Sequence, residues 1–154
     1  MNELASTLPP PLRILGGFIL TLWVLELIDT LMGGRLDQLG IRPRRLDGLQ
    51  GIVFAPLLHG NLKHLASNTV PLAVLGWLIL LDGVEVFLLV TGVVWLVSGM
   101  GAWLLGGANT NHIGASGLVF GYFGYLLLRG FFEQSGSTIA IAAVVGLLYG
   151  GMIW

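Results

Sequence analysis

The sequence contains no cysteine and very little charge. The absence of cysteine from all 154 residues excludes disulfide bonds, although it says little about the compartment of a membranous chain. Charged residues make up 10% of the sequence, whereas soluble domains contain roughly 25%. Hydrophobic residues make up 55%, and the mean hydropathy is +0.89. This composition predicts an integral membrane protein, with the lipid bilayer as its solvent and no nucleic-acid partner.

Uncharged stretches long enough to cross a bilayer recur along the chain. About 20 helical residues cross the hydrocarbon layer. We therefore predict an all-α, polytopic transmembrane helical bundle of about five spans, forming a single membrane domain over residues 1–154. The predicted spans are 12–32, 62–81, 86–105, 113–128 and 137–154. The fourth is short, which suits a helix that begins inside the membrane, and the fifth reaches the last residue, so we expect the domain to be C-terminally incomplete.

Residues 33–61 form the only long connection. They include four arginines, which the positive-inside rule would place in the cytoplasm. The apolar second half of this loop is expected to rest against the bilayer. Glu26 and Asp29 lie near the end of the first span, where we expect snorkelling or capping rather than proton relay. They also argue against a cleaved signal peptide, which has small residues at that place.

Ser116 lies in the motif Gly114-Ala115-Ser116-Gly117, after a polar, glycine-rich loop. Most serines in membrane helices bond back to a carbonyl one turn earlier. At the start of a helix, however, unpaired backbone N–H groups and the helix dipole stabilise developing negative charge. Gly114 and Gly117 leave room for a substrate backbone. Gly117 and Gly121, with Gly114 and Gly124, also form a stripe of small residues at which another helix can approach closely.

His64 and Asn68 are spaced i, i+4 on the second span, so both side chains lie on one helical face. One interpretation is an interhelical hydrogen bond that is already satisfied. The alternative is that the imidazole and amide N–H groups stabilise an oxyanion. Burial favours neutral His64 for that role.

These motifs together resemble those of the rhomboid intramembrane serine proteases. In that family a Gly-x-Ser-Gly motif carries the nucleophile, a His-x-x-x-Asn pair forms the oxyanion hole, and a His-Gly-x-x-x-His pattern precedes it. The last corresponds here to His59 through His64. The resemblance implies Ser116 as nucleophile and His64 and Asn68 as oxyanion donors, with Gly114, Gly117 and His59 supporting them. It also implies a cytoplasmic N-terminus and an outward-facing active site, contrary to the arginine-rich loop.

Two departures from the family pattern stand out. A Trp-Arg pair is common in the first loop of the family, and Gln50-Gly51 stands at the corresponding place here. The family's general base is a histidine on a sixth core helix, whereas the histidines here are His59, His64 and His112. We expect the base beyond residue 154. Two alternatives are His112 as base, or His64 as base with Asn68 alone serving the oxyanion.

The resemblance implies a serine endopeptidase that hydrolyses peptide bonds in or near the transmembrane helices of membrane proteins. The 154 residues by themselves are expected to be nearly inactive, and a bacterial cell membrane is the expected location. The alternative is a non-catalytic rhomboid-like protein that binds transmembrane segments. No cofactor is implied, and three histidines without a cysteine or a convergent acidic ligand argue against a metal site.

Overall fold

A computed structural model describes residues 9–153, and these residues form a bundle of helices with one isolated bridge between loops. The predicted all-α class is confirmed. The helices in chain order are α1 (Pro10–Leu31), α2 (Gly51–Phe54), α3 (Leu62–Leu80), α4 (Val84–Leu105), α5 (Ser116–Glu133) and α6 (Gly136–Tyr149). A 3₁₀ turn, Gly150–Ile153, follows α6.

The predicted helix positions agree with the structure for α1, α3 and α4 to within a few residues. The fourth predicted span differs most, because α5 begins at Ser116 rather than Ile113 and continues to Glu133. Ile113 and Gly114 belong to the preceding loop. The fifth predicted span is divided between α6 and the 3₁₀ turn, and Trp154 lies outside the described residues.

Helices α3 and α5 form the centre of the bundle. The buried face of α3 recurs every three or four residues, as expected for a helix with one buried stripe. Its members are Leu65, Asn68, Leu72, Leu75 and Ile79. On α5 the corresponding positions are Leu118, Val119, Tyr122 and Leu126. Asn68 is therefore a polar side chain on an otherwise apolar buried stripe.

Helices α1 and α4 lie at the periphery. Each has 22 residues and is long and apolar enough to cross a membrane. Their outward faces carry exposed leucine and valine side chains, as expected for helices in contact with lipid. Helix α6 has 14 residues, fewer than the roughly 20 that span the hydrocarbon layer.

The end of α1 is joined tightly to the loop of residues 32–61, which we call loop A. Glu26 and Asp29 are each 4% exposed, so of the two expected roles, snorkelling and capping, snorkelling into the headgroup region is wrong for both. Asp29 Oδ1 accepts the Leu36 backbone N–H at 2.6 Å. A carboxylate that accepts this bond fixes the direction in which loop A leaves the helix.

The second half of loop A packs against α4. Trp95 Nε1 donates to the Ile52 carbonyl at 2.9 Å, and the Ile52 side chain lies over Gly99. Val53 and Phe54 remain exposed on the outer side of α2. The apolar half of loop A thus rests on protein with one face and leaves the other available to lipid.

Arg42, Arg44 and Arg45 of loop A have specific intramolecular partners. Arg44 closes the C-terminal end of α4: its N–H bonds the Trp103 carbonyl at 3.0 Å, and its guanidinium bonds the carbonyls of Leu104 and Gly106, each at 2.9 Å. These carbonyls lack a partner within the helix. Arg42 and Arg45 both bind Asp47.

Loop A meets the loop of residues 106–115, which we call loop B, at the same end of the bundle. Ile41 and His112 exchange two backbone hydrogen bonds of 2.9 Å. Asn111 Nδ2 donates to the Asp37 carbonyl at 2.7 Å. The turns at residues 81–83 and 134–135 lie one helix length away, at the other end.

Candidate active site

The chain turns sharply at Gly114 immediately before α5. Gly114 has φ of +118°, a conformation that residues with a Cβ rarely adopt. Its N–H donates to the Ala55 carbonyl of loop A at 2.9 Å. Ala115 then serves as the N-cap residue, and Ser116 is the first residue of the helix. Ser116 thus lies at the helix start, as its sequence context predicts.

His64 and Asn68 both contact this turn from α3. A Cβ built on Gly114 would lie 2.7 Å from His64 Cε1, 2.9 Å from His64 Nε2 and 3.6 Å from Asn68 Nδ2. The two side chains therefore converge two residues before Ser116. Glycine is required at 114 both for its backbone angle and for the space that His64 occupies. The Asn61 side chain caps α3 by accepting the His64 N–H at 2.9 Å, which fixes the start of the helix that carries both residues.

Several hydrogen-bond donors at this point have no partner within the described residues. Asn68 is 7% exposed, yet its Nδ2 is buried and makes no hydrogen bond there. The backbone N–H groups of Ser116 and Gly117 are likewise unbonded in this part of the chain. Buried donors without a partner are rare and costly. Their concentration around one helix start forms an environment suited to an anion.

His59 of loop A supports the same turn through a hydrogen bond to Ala115. Its Nε2 accepts the Ala115 N–H at 3.2 Å, so the proton of the neutral ring must be on Nδ1. The side chain is 1% exposed, and its ring lies edge-on to that of His64 with centroids 5.2 Å apart. Burial, with a smaller contribution from the neighbouring His64, lowers the pKa of His59 to about 4. A protonated His59 would lose its bond to Ala115, because imidazolium has no acceptor.

A cavity of about 150 Å³ opens beside Ser116 on the side of loop A and α4. Its polar lining residues include Ser98 and His112, and its apolar ones include Ile41, Ala55, Gly99 and Ala102. His64 and Asn68 are not among its lining residues. They contact the Gly114–Ser116 turn from α3, whereas the cavity reaches the same turn from the side of loop A and α4. The cavity and the candidate oxyanion donors therefore lie on different sides of this turn.

None of the described hydrogen bonds joins a histidine to the Ser116 hydroxyl. His112 lines the cavity, but its Nε2 bonds Thr110 Oγ1 at 2.8 Å and lies beside Gly106. His59 is engaged by Ala115, and His64 lies against Gly114. The structure therefore places none of these rings in the hydrogen-bonded position of a general base to Ser116.

The four glycines of the predicted stripe, one in loop B and three in α5, have different neighbours. Gly117 lies against Ser98 and Gly121 against Val94, so these two form the small surface on which α4 packs. Gly114 contacts α3 instead, and a Cβ on Gly124 would meet nothing within 4 Å. The expectation of one stripe for a single neighbouring helix is thus right for Gly117 and Gly121 and wrong for the other two.

Two features of the site had no clear signal in the sequence. Ser98 lies in an apolar helix and resembles any small residue there, but it faces the cavity beside Gly117. The Ala55 carbonyl that accepts the Gly114 N–H is a backbone group, so no pattern of side chains in the sequence indicates it. The residue Asn61, in contrast, precedes an apolar helical segment, and that position is typical of an N-cap.

The comparisons with known proteins identify the family of this helical membrane protein. The family described as Rhomboid domain matches residues 47–154. This chain therefore belongs to the rhomboid family of membrane proteins. An uncharacterized protein of Mycobacterium tuberculosis is 46% identical over 158 residues, covering 96% of this chain and 66% of its own length. An uncharacterized protein of Mycobacterium leprae is 45% identical over 141 residues, covering 88% of this chain and 56% of its own length. The chain thus spans less than two thirds of these relatives, and no solved structure matches it.

Proposed function

We propose that this chain carries the nucleophile and the oxyanion-binding groups of an intramembrane serine protease. Ser116 is the nucleophile, and the substrate is a peptide bond in or near a transmembrane helix of another membrane protein. The observation that supports this most directly is the contact of His64 and Asn68 with Gly114, beside the unbonded N–H groups of Ser116 and Gly117. The proposal also places the protein in a bacterial cell membrane, which the chain crosses several times.

The reaction is an acyl transfer in two steps. A base takes the Ser116 hydroxyl proton as the oxygen attacks the substrate carbonyl, and the resulting oxyanion accepts hydrogen bonds from Asn68 Nδ2, His64 and the Ser116 N–H. The C–N bond then breaks, the leaving amine takes the proton, and an acyl-enzyme remains. Water, admitted past Asn109, Thr110 and Asn111 of loop B, hydrolyses the ester and regenerates Ser116.

The general base is the component that the described histidines do not supply. His64 lies against the turn where a donor to the oxyanion is needed, which supports the donor role over its use as base. Soluble serine proteases that lose one triad member retain a rate acceleration of only about 10³- to 10⁴-fold over the reaction in water. We therefore propose that the 154-residue chain by itself reacts slowly at Ser116, because none of its described histidines is placed to act as the base.

Labelling with a fluorophosphonate, followed by mass spectrometry of the adduct, tests this proposal. We expect slow phosphonylation at Ser116, accelerated by imidazole added to the buffer, because the cavity beside Ser116 gives a small base access to the hydroxyl. Removal of one oxyanion donor costs a factor of about 10² to 10³ in a soluble serine protease. We therefore expect Asn68→Ala to slow the imidazole-dependent labelling by at least about tenfold.

The controls separate this reaction from unspecific labelling. Ser116→Ala should abolish the adduct, and Ser98→Ala should leave Ser116 labelled. Adduct formation at other serines with equal rate, or a Ser116 rate that neither imidazole nor Asn68→Ala changes, would contradict the proposal. An unreactive Ser116 in a chain that still binds transmembrane peptides would favour the non-catalytic rhomboid-like alternative.

A further inference from the structure

A second polar recess lies on the surface of loops A and B, which we call the arginine cleft. It has a volume of about 250 Å³ and is lined by Arg42, Pro43, Arg45, Asn109, Thr110 and Asn111. Arg42, Pro43 and Arg45 take no part in the chemistry proposed at Ser116, and Asn109, Thr110 and Asn111 enter it only as polar residues past which water is admitted. The cleft therefore needs a separate explanation.

The arginine cleft adjoins the Ser116 cavity along the two loops. Ile41 and His112 line the cavity and are paired with each other by two backbone hydrogen bonds. Arg42 follows Ile41, and Asn111 precedes His112, so the cleft begins one residue beyond this pair on each loop. An extended peptide rises about 3.3 Å per residue, so a few residues suffice to connect a bond at Ser116 with the cleft.

The cleft carries one positive charge more than its internal partner neutralises. Asp47 accepts from Arg42 at 3.0 Å and from Arg45 at 2.9 and 3.0 Å. The hydrogen bonds from Arg45, followed by those from Arg42, hold the pKa of Asp47 below its usual value, so this carboxylate is ionised at neutral pH. Two guanidinium groups against one carboxylate leave a net charge of about +1.

Donors remain for a ligand. Within the described residues, Arg45 Nη1 and the Asn109 side-chain amide make no hydrogen bond. The Arg45 side chain is 61% exposed, and Asn109 is also exposed and has a left-handed backbone conformation with φ of +61°. A carboxylate accepts bonds from two such donors at once.

The walls of the cleft are fixed by the surrounding fold. Trp103 Nε1 donates to the Arg45 carbonyl at 2.9 Å, and Arg44 binds the end of α4 on the other side. Asn111 is held by its bond to the Asp37 carbonyl. A preorganised site loses less conformational entropy on binding than a mobile surface does.

We propose that the arginine cleft binds an acidic side chain of the protein segment whose peptide bond lies at Ser116, a few residues from that bond. This inference rests on the proposed function and adds a preference for substrates with aspartate or glutamate next to the membrane. A singly charged carboxylate matches the net charge of the cleft. A lipid phosphodiester is also singly charged, so charge does not separate the two ligands. The position of the cleft, one residue beyond the Ile41 and His112 pair that lines the Ser116 cavity, favours the side chain of a bound substrate over a lipid headgroup.

Binding of synthetic transmembrane peptides tests this inference without requiring catalysis. Three fluorescent peptides would share an alanine- and glycine-rich apolar segment and differ only in a juxtamembrane triplet of aspartate, asparagine or lysine. Affinities for the 154-residue protein in phosphatidylcholine nanodiscs would be measured by anisotropy. Exposed ion pairs contribute modestly, so we expect the aspartate peptide to bind about threefold more tightly than the asparagine peptide at low salt. The lysine peptide should bind least well, and salt should reduce the differences.

Variants of the cleft supply the controls. Arg45→Gln should remove the preference for aspartate, and Arg45→Glu should reverse the order of the aspartate and lysine peptides. Lys63→Gln removes an exposed cation outside the cleft at the same end of the bundle and should leave the preference unchanged. The protein should still bind the aspartate peptide most tightly when phosphatidylglycerol is added to the nanodisc.

The outcomes separate the two proposals. Equal affinities for all three peptides, a preference that Arg45→Gln does not alter, or a preference abolished by phosphatidylglycerol would overturn the inference and leave the proposed function standing. Failure of every peptide to bind would count against the proposed function and the inference together.

Discussion

His59 illustrates how a single buried side chain can make the site sensitive to acid. The neutral ring accepts the Ala115 N–H directly before Ser116. Burial lowers the pKa of His59 to about 4, whereas an unfolded chain has the ordinary value of about 6.5. Between these values the unfolded state takes up a proton that the folded state does not, so the free energy of unfolding falls as the pH falls.

We therefore predict that His59→Gln reduces this acid sensitivity. The glutamine carbonyl oxygen can accept the Ala115 N–H but does not titrate. In wild-type protein the melting temperature in detergent should decline as the pH falls from about 6.5 to about 4. The decline should be smaller in His59→Gln, and equal pH profiles for the two proteins would contradict the structural role assigned to His59.

Gly114 is the position at which substitution should damage the site most directly. Gly114→Ala places a Cβ 2.7 Å from His64 Cε1 and forces alanine into a conformation that costs about 1 to 3 kcal/mol. We predict a loss of at least this strain energy in the free energy of unfolding, together with slower labelling of Ser116, because His64 must move. Gly136→Ala is the matched control, since a Cβ there meets nothing within 4 Å. A similar effect of both variants on stability and labelling would argue against the close packing at Gly114.

At the scale of the elements, the contact of α4 with α5 depends on two glycines of α5, which have no side chain to keep the helices apart. Gly117 and Gly121 bring the α5 backbone against Ser98 and Val94. Lipid supplies no hydrophobic drive for this contact, so it depends on close van der Waals packing. The same contact forms one wall of the cavity beside Ser116 and therefore links the packing of α4 to the site.

We predict opposite effects of alanine at two neighbouring glycines of α5. Gly121→Ala overlaps Val94, whose β-branched side chain cannot rotate away easily, and should destabilise the protein by about 1 to 3 kcal/mol. Gly124→Ala meets nothing within 4 Å and should be neutral or stabilise the helix by up to about 1 kcal/mol. Thermal unfolding in detergent measures both, and a destabilised Gly124→Ala would show that α5 packs differently.

The arginines of loop A also act at this scale. Arg44 binds the carbonyls at the end of α4, and Arg42 and Arg45 share Asp47. These partners give three of the four loop A arginines a structural explanation that is independent of membrane orientation. The arginines of loop A are therefore weaker evidence for a cytoplasmic position of this loop than their number alone would indicate.

At the scale of the whole molecule, the bundle predicts which segments share a side of the membrane. Loops A and B are joined by the Ile41 and His112 backbone bonds, whereas the turns at 81–83 and 134–135 lie at the other end. Because the sequence contains no cysteine, single introduced thiols report position without background. We predict that Leu46→Cys and Asn109→Cys react with an impermeant maleimide from one side of a vesicle, and Gly83→Cys and Gly136→Cys from the other.

A different grouping of the four thiols would refute the multi-pass arrangement. The side from which Asn109→Cys reacts also determines the orientation, on which the loop charge and the family resemblance disagree. Reaction from the outer side would agree with the resemblance. Reaction from the cytoplasmic side would mean that the arginines of loop A follow the positive-inside rule in spite of their intramolecular partners.

Much of the fold could be predicted because helix formation in a membrane is dictated locally. The starts and ends of α1, α3 and α4 follow from the lengths of apolar segments and from Pro9, Asn61 and Gly106 at their ends. The start of α5 was harder to predict, because Ile113 is apolar but belongs to loop B. Tertiary bonds from Gly114 to Ala55 and from Ala115 to His59 hold that segment out of the helix.

The candidate site could be predicted only in part. The spacing of His64 and Asn68 and the motif around Ser116 are local patterns, and the resemblance they support led to the family that the comparisons show. The roles of Ser116, His64, Asn68, Gly114, Gly117 and His59 stay predictions. The burial of Glu26 and Asp29 was not foreseen, since nothing in the sequence near them indicates that loop A folds back over the end of α1.

The sequence by itself determined the membrane environment, the helical class and the chemical groups available to the site, because these follow from composition and from spacing along one helix. The tertiary structure alone decided that His64 and Asn68 lie against Gly114, that Ser98 faces the cavity, and that Arg42 and Arg45 form a cleft beside it. These contacts join residues far apart in the chain. Their geometry depends on how closely whole helices and loops pack, a property that no local pattern encodes.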